Sequence, residues 1–221
     1  MLPAVPLGTA GNMREAPTRS PFLLVRCVTS GDAPMPSRQT AVFIDGGYWS
    51  VVLREEFRLP RIDFAKLIEF MAAGNDLLRT YYYNCMPYQS NPATHEESER
   101  YGRARRLIDA LSRLPRFEIR LGKLEYRGNN AADGKPIFEQ KRVDIMLGVD
   151  MALLAAKQRV DRVAILTGDS DFIPALKVAK NEGILVHLYH GDPASVHREI
   201  WTEADDRTRI DEAVIEEIRM R

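Results

Sequence analysis

Val163-Ala-Ile-Leu-Thr-Gly-Asp-Ser-Asp-Phe172 reads as a strand, a polar turn and the start of a helix. Val163 to Leu166 is a short apolar run between Asp161 and Gly168, the pattern of a parallel strand covered on both faces. A helix follows from about Phe172 to Asn181. Asp169 and Asp171 therefore fall where the strand ends and the helix begins, and in open α/β sheets ligands bind at this carboxyl end. Two more acids reach the same rim if the first and fourth strands are neighbours. Asp45 ends the run Ala41-Val-Phe-Ile-Asp45, and Asp144 opens a helix running to Lys157.

Working outward, strands are expected at Thr40 to Asp45, Leu77 to Cys85, Phe117 to Tyr126, Val160 to Leu166 and Gly183 to Tyr189. Helices are expected at Tyr48 to Glu56, Asp63 to Ala73, about Thr94 to Leu114, Asp144 to Lys157 and after Asp171. Asp63 suits an N-cap, and Thr94 or Asn91 opens the third helix. The helix from Asp144 is apolar almost all the way round and should be largely buried. Asn129 to Pro136 reads as a polar loop with a hairpin-type turn at Asp133-Gly134. Alternating strands and helices give an α/β fold: three α/β/α layers, Rossmann-like, with a mostly parallel sheet of about five strands.

Residues 1–38, rich in Pro, Gly, Ser and Thr, read as a disordered extension. Met35 stands just before the first strand, so the native start is expected near it. Residues 39–192 form the domain. Residues 193–221 form a charged, mostly helical tail, with Ile210, Val214 and Ile218 as the apolar stripe that packs it on the domain.

The 221 residues carry 31 Lys and Arg against 31 Asp and Glu. Zero net charge argues against a general nucleic-acid coat protein but leaves room for a local basic patch. Cys27 and Cys85 make neither a zinc spacing nor a disulfide framework, which suits two reduced thiols in the cytoplasm. No run of about 18 apolar residues occurs, so no membrane helix is expected. G-x-x-x-x-G-K-[ST], G-x-S-x-G and H-E-x-x-H are all absent.

Taken singly, Asp169 and Asp144 each suit helix N-termini. Asp45 is harder to read as a turn residue, because it ends an apolar strand directly before Gly46-Gly47. Taken together, the four present a problem of charge. Two carboxylates 4 Å apart repel by about 4 kcal/mol at an effective dielectric near 20. Several such groups require protonation or a cation, and a hard divalent ion with oxygen ligands, Mg²⁺ or Mn²⁺, fits. Asp150 lies about 240° further round an ideal helix than Asp144. It suits a paired acid better than a ligand to the same ion.

Phe43-Ile-Asp-Gly-Gly-Tyr48, Lys141-Arg-Val-Asp144 with Asp150, and Leu166-Thr-Gly-Asp-Ser-Asp-Phe172 resemble the NYN domain family, in its LabA-like branch, within the PIN-like nuclease fold. The match covers roughly Thr40 to Tyr189. The resemblance implies a Mg²⁺ or Mn²⁺ site and endoribonuclease-type hydrolysis of RNA. By position, Asp45, Asp144, Asp169 and Asp171 match the family acids, and Asp150 matches a recurrent one. Tyr48 stands where many members carry Asn.

For substrate, Lys141 and Arg142 are placed to meet the scissile phosphate, Tyr48 to stack a base, and Arg103 and Arg106, on one helical face, to wall a phosphate groove. The expected partner is RNA, with no membrane. A homo-oligomer or a protein partner stays open. The rival reading is a non-catalytic module of the same fold that acts by binding RNA or protein.

Overall fold

The computed structural model describes residues 38–130, 134 and 136–220. The readings of residues 1–37, Cys27 and Met35 included, lie outside the described residues.

The sheet is built around β1 (Gln39–Asp45), whose Ala41, Val42, Phe43 and Ile44 are wholly buried. A strand with no polar face must be covered on both sides. Successive side chains therefore enter two different cores. Ala41 and Phe43 join Tyr81, Tyr83, Val163 and Ile165 in one. Val42 and Ile44 join Tyr82, Ala164 and Leu166 in the other. Each fully buried aliphatic side chain contributes about 1.5–3 kcal/mol.

From β1 the chain passes through α1 (Gly46–Glu55) and α2 (Phe64–Ala72) to β2 (Asp76–Cys85). It continues through α3 (His95–Leu111) to β3 (Phe117–Asn129) and β4 (Pro136–Lys141). After α4 (Val143–Ala156) it returns to the other side of β1 with β5 (Arg162–Leu166). Then come α5 (Ile173–Asn181), β6 (Leu185–His190), α6 (Arg198–Glu203), β7 (Asp206–Arg209) and α7 (Glu212–Ile218). Strand order is β4-β3-β2-β1-β5-β6-β7. Every neighbouring pair is parallel except β3 with β4. Val143, Leu147 and Met151 of α4, Leu176 of α5 and Ile200 of α6 cover the first core. Trp49 and Val52 of α1, Leu67 and Met71 of α2, Leu111 of α3 and Ile215 of α7 cover the second.

The fold is the expected α/β type, but the sheet has seven strands rather than about five. The two missed strands are β4 and β7. From sequence, Pro136 ends a polar loop and Lys141 leads into a helix, with no strand between them, and β7 falls within the mostly helical tail. Both are edge strands, so neither carries the buried apolar run that marks a central one. A second correction concerns α4. Val143, Leu147, Met151 and Ala155 are buried, but Ile145 is 73 % exposed, Val149 50 % and Leu153 51 %. One face of the helix rests on the sheet, and nothing among the described residues covers the opposite face.

Candidate active site

The chain leaves β1 toward β2 on one side and returns to β5 on the other, so the strand order reverses between β1 and β5. This switch point opens a crevice at the carboxyl ends of the two strands. The adjacency the acids require is present: β1 pairs with β5 in parallel, from Thr40↔Arg162 to Ile44↔Leu166.

Asp45 is the last residue of β1 and the N-cap of α1. Its Oδ1 accepts the Tyr48 N–H at 3.1 Å, and its Oδ2 accepts the Thr167 hydroxyl at 3.1 Å. Burial pushes its carboxyl above the ordinary range. The bonds from Tyr48, Thr167 and Gly47 pull it back, and Asp144 adds to the rise. Gly46 is required here by space: a Cβ on it would lie 2.5 Å from the Tyr82 hydroxyl and 2.7 Å from Asn84 Nδ2.

After β5, Thr167 is buried and its hydroxyl also accepts the Asp169 N–H at 3.2 Å. Asp169 caps the short turn Ser170–Phe172, its Oδ1 accepting the Asp171 N–H at 3.0 Å. The capping role expected of a lone acid there is therefore real. Asp171 is exposed. Asp144 lies in the first turn of α4 and is also exposed. Its carboxyl is pushed up by desolvation first, then by Asp169 and Asp171.

The four acids thus share one electrostatic neighbourhood. Among the described residues none of them has a Lys, Arg or His within ion-pairing distance. Nor do three acidic, His or Cys side chains among the described residues close around one point as a metal shell. The donor set is oxygen only. Mg²⁺ commonly keeps several waters and takes one or two carboxylates, and an open rim of this kind fits such an ion better than a closed cage would.

Asp150 stands apart. Its Oδ2 accepts from the Tyr83 hydroxyl at 2.9 Å and from Arg120 Nε at 3.1 Å. It is a paired acid in the α4 layer, as the helix angle implied.

Lys141 Nζ pairs with Glu125 at 3.2 Å and not with the acid cluster. Arg142 precedes α4 with a left-handed φ of 77°, is exposed, and has no ion-pair partner among the described residues. Tyr48 is half-buried. Its hydroxyl accepts the Gly191 N–H at 3.1 Å and bonds Ser195 Oγ at 3.0 Å. A Cβ on Gly168 would meet Tyr48 Cε2 at 2.5 Å, so the ring lies directly on the turn after β5.

Arg103 and Arg106 stand on α3, beside a groove of about 770 Å³ also lined by Trp49, Tyr82 and Leu107. Thr94 caps this helix in a capping box with Glu97. Arg103 makes an exposed pair with Glu99 at 3.6 Å, a contact worth little.

Two neighbours of the site went unread in the sequence. Thr167 sits in plain view inside the decisive stretch, and a hydroxyl directly after a buried strand was the available signal. Gln140 of β4 lies over the first turn of α1, its Nε2 3.5 Å from where a Cβ on Gly47 would be. Only the register of β4 reveals it.

Among solved structures, a Vibrio parahaemolyticus protein of unknown function superposes with a TM-score of 0.53 at 19 % identity, over 83 % of this chain and 98 % of that one. This likeness bears on fold alone. The uncharacterized protein y4oD of Sinorhizobium fredii is 28 % identical over 109 residues, 48 % of this chain. The matched stretch spans 46 % of that relative's length, somewhat under half. The profile of the NYN domain, a family of the PIN-like nuclease superfamily, matches residues 39–211, the whole of the sheet and the acidic rim, and the chain belongs to that family.

Proposed function

We propose that this protein is a metal-dependent ribonuclease of the LabA-like branch, hydrolysing RNA phosphodiester bonds in the cytoplasm. The observation that carries the reading is the set of four carboxylates around the β1/β5 crevice with no cationic partner among the described residues.

Asp45, Asp144 and Asp169 would hold Mg²⁺ or Mn²⁺, one or two of them directly and the rest through water. A bound divalent ion supplies an activated water and charge stabilisation at a phosphoryl oxygen. Asp171, exposed beside Asp169, would orient the attacking water or bind a second ion. The bonds from Tyr48 and Thr167 hold the Asp45 carboxylate in one orientation. Arg142, uncompensated at the start of α4, steadies the scissile phosphate. Lys141, already paired with Glu125, adds positive potential behind it. Tyr48 lines the path on the β6 side of Asp45, and Arg103 and Arg106 contact backbone phosphates farther along the strand.

The second reading is a non-catalytic module that binds RNA or protein. It is favoured by the absence of a three-ligand group among the described residues and by Tyr48 being tied to Gly191 and Ser195. Melting curves with Mg²⁺ or Mn²⁺ titrated into wild type and Asp169→Asn separate the two, because a ligand that binds the native state raises the midpoint with concentration. The hydrolase reading expects a rise in wild type that is lost in the variant, together with metal-dependent RNA cleavage that is lost in the same variant. No rise and no cleavage in wild type would leave the binding module.

A further inference from the structure

Beyond Gly122, β3 leaves β2 and pairs with β4 alone, forming a two-stranded ribbon at the carboxyl rim of the sheet. Its register sets Leu124 opposite Gln140 and Tyr126 opposite Phe138. Side chains two apart on a strand share a face, so these four lie on one face of the ribbon. Gln140 is the end of that face nearest Asp45, beside Gly47. Moving outward along the same face come Phe138 and Tyr126, whose ring centroids are 6.0 Å apart. Tyr88, from the loop after β2, joins them at 5.2 Å from Phe138 and 5.9 Å from Tyr126. Tyr126 remains 47 % exposed and Phe138 37 %. An aromatic cluster left this open to water, continuous with an acidic rim, calls for an occupant.

We propose that Tyr88, Tyr126 and Phe138 form a stacking platform for unpaired bases of single-stranded RNA flanking the acidic site. This rests on the reading of that site as one that handles RNA. Charge does not oppose this occupant. By the same alternation Lys123, Lys141, Glu125 and Glu139 lie on the ribbon's other face, where they pair with one another and with Arg127, so the platform face carries no carboxylate to repel a phosphate backbone. Stacking on aromatic rings tolerates any base, so the platform confers affinity for unpaired strands and little sequence preference. Gln140 stands between the platform and Asp45, where its amide can reach a sugar or base edge.

The test is fluorescence polarisation with a labelled single-stranded oligoribonucleotide of about 10 nucleotides, a common footprint for such surfaces. The parent is the full chain with Asp169→Asn, so that hydrolysis does not consume the probe. Phe138→Leu and Tyr126→Leu keep apolar bulk and remove the ring. Each is expected to weaken binding about 10-fold or more, in line with the loss of one stacked base. Tyr126→Trp should retain affinity, a duplex of the same sequence should be indifferent to all three, and melting temperatures should stay level. Unchanged single-strand affinity in both Leu variants overturns the platform, as does a parent that binds no RNA. If the Leu variants instead abolish self-association seen by light scattering while leaving RNA affinity intact, the face is a protein interface and the proposal falls. Binding that depends on the rings, alongside a wild type that never cleaves, upholds the platform and defeats the hydrolase reading alone.

Discussion

The Thr167 hydroxyl joins the two halves of the acidic rim: it donates to Asp45 Oδ2 at 3.1 Å and accepts from the Asp169 backbone at 3.2 Å. One buried atom thus couples the end of β1 to the turn after β5.

Thr167→Val keeps the shape and removes both bonds. A half-buried carboxylate oxygen and a half-buried backbone N–H then lose their partner, which costs about 1 kcal/mol. Urea unfolding should show that loss. Thr167→Ser should retain most of the stability, and an equal loss in Ser would assign the effect to the methyl group.

The acids of the rim should oppose folding at neutral pH when no metal is present. The Asp144 carboxyl is held above its ordinary 3.8 in the folded chain. The native state therefore binds the proton more tightly than the unfolded chain does, and this contribution is lost as pH rises from 3.8 through the folded value. Asp144→Asn is expected to melt higher than wild type at pH 7 in chelator, with the difference disappearing below pH 3.8. A variant that melts lower at pH 7 would refute the cost assigned to the charged Asp144, which desolvation sets first and Asp169 and Asp171 increase.

Asp150 should behave in the opposite way. Asp150→Ala strips a partner from the buried Tyr83 hydroxyl and from Arg120. A destabilisation of about 1–3 kcal/mol is expected. The rise in melting temperature with Mg²⁺ that the hydrolase reading expects should survive unaltered. Loss of that rise would move Asp150 into the metal site.

At the start of β5, buried Arg162 donates to Met71 O at 2.8 Å, to the Tyr189 hydroxyl at 2.9 Å and to His187 Nδ1 at 2.8 Å. Arginine has no acceptor, so Nδ1 must be the unprotonated nitrogen and Nε2–H faces Thr208 at 2.7 Å. Desolvation first, and Arg162 second, hold His187 below its ordinary 6.5. The unfolded chain then takes up protons first, so stability present above pH 6.5 declines as pH falls toward the folded value. His190, also held low by burial, acts in the same sense. His187→Asn keeps an acceptor for Arg162 and should flatten part of this decline in pH-dependent unfolding. An unchanged slope would place the whole effect on other groups.

The parts of the fold legible in the sequence are those with an energetic signature in the residues themselves. Ala41 to Ile44 and Val163 to Leu166 are apolar because both faces of each strand are covered, and their pairing brings Asp45 to Asp169 as expected. Asp150 was legible from helix geometry alone. β7, Asp-Arg-Thr-Arg, has no such signature: its strand conformation comes from pairing with β6, and its charges suit an exposed edge. β4 was hidden for the same reason, and with it the position of Gln140 beside Gly47. α4 misled in the other direction, because an apolar composition cannot say which of its faces meets the sheet.

The position of β1 has a consequence for synthesis. Its partners in the sheet are residues 76–83 on one side and 162–166 on the other. As the chain leaves the ribosome, β1 to β4 can assemble while the far edge of β1, with its buried run Ala41 to Ile44, still lacks a partner. That edge stays open until residue 166 has emerged, an interval in which a growing chain is vulnerable to mispairing and to capture by a chaperone. The crevice between Asp45 and Asp169 forms only after that, so no chain shorter than 169 residues brings Asp45, Asp144 and Asp169 together.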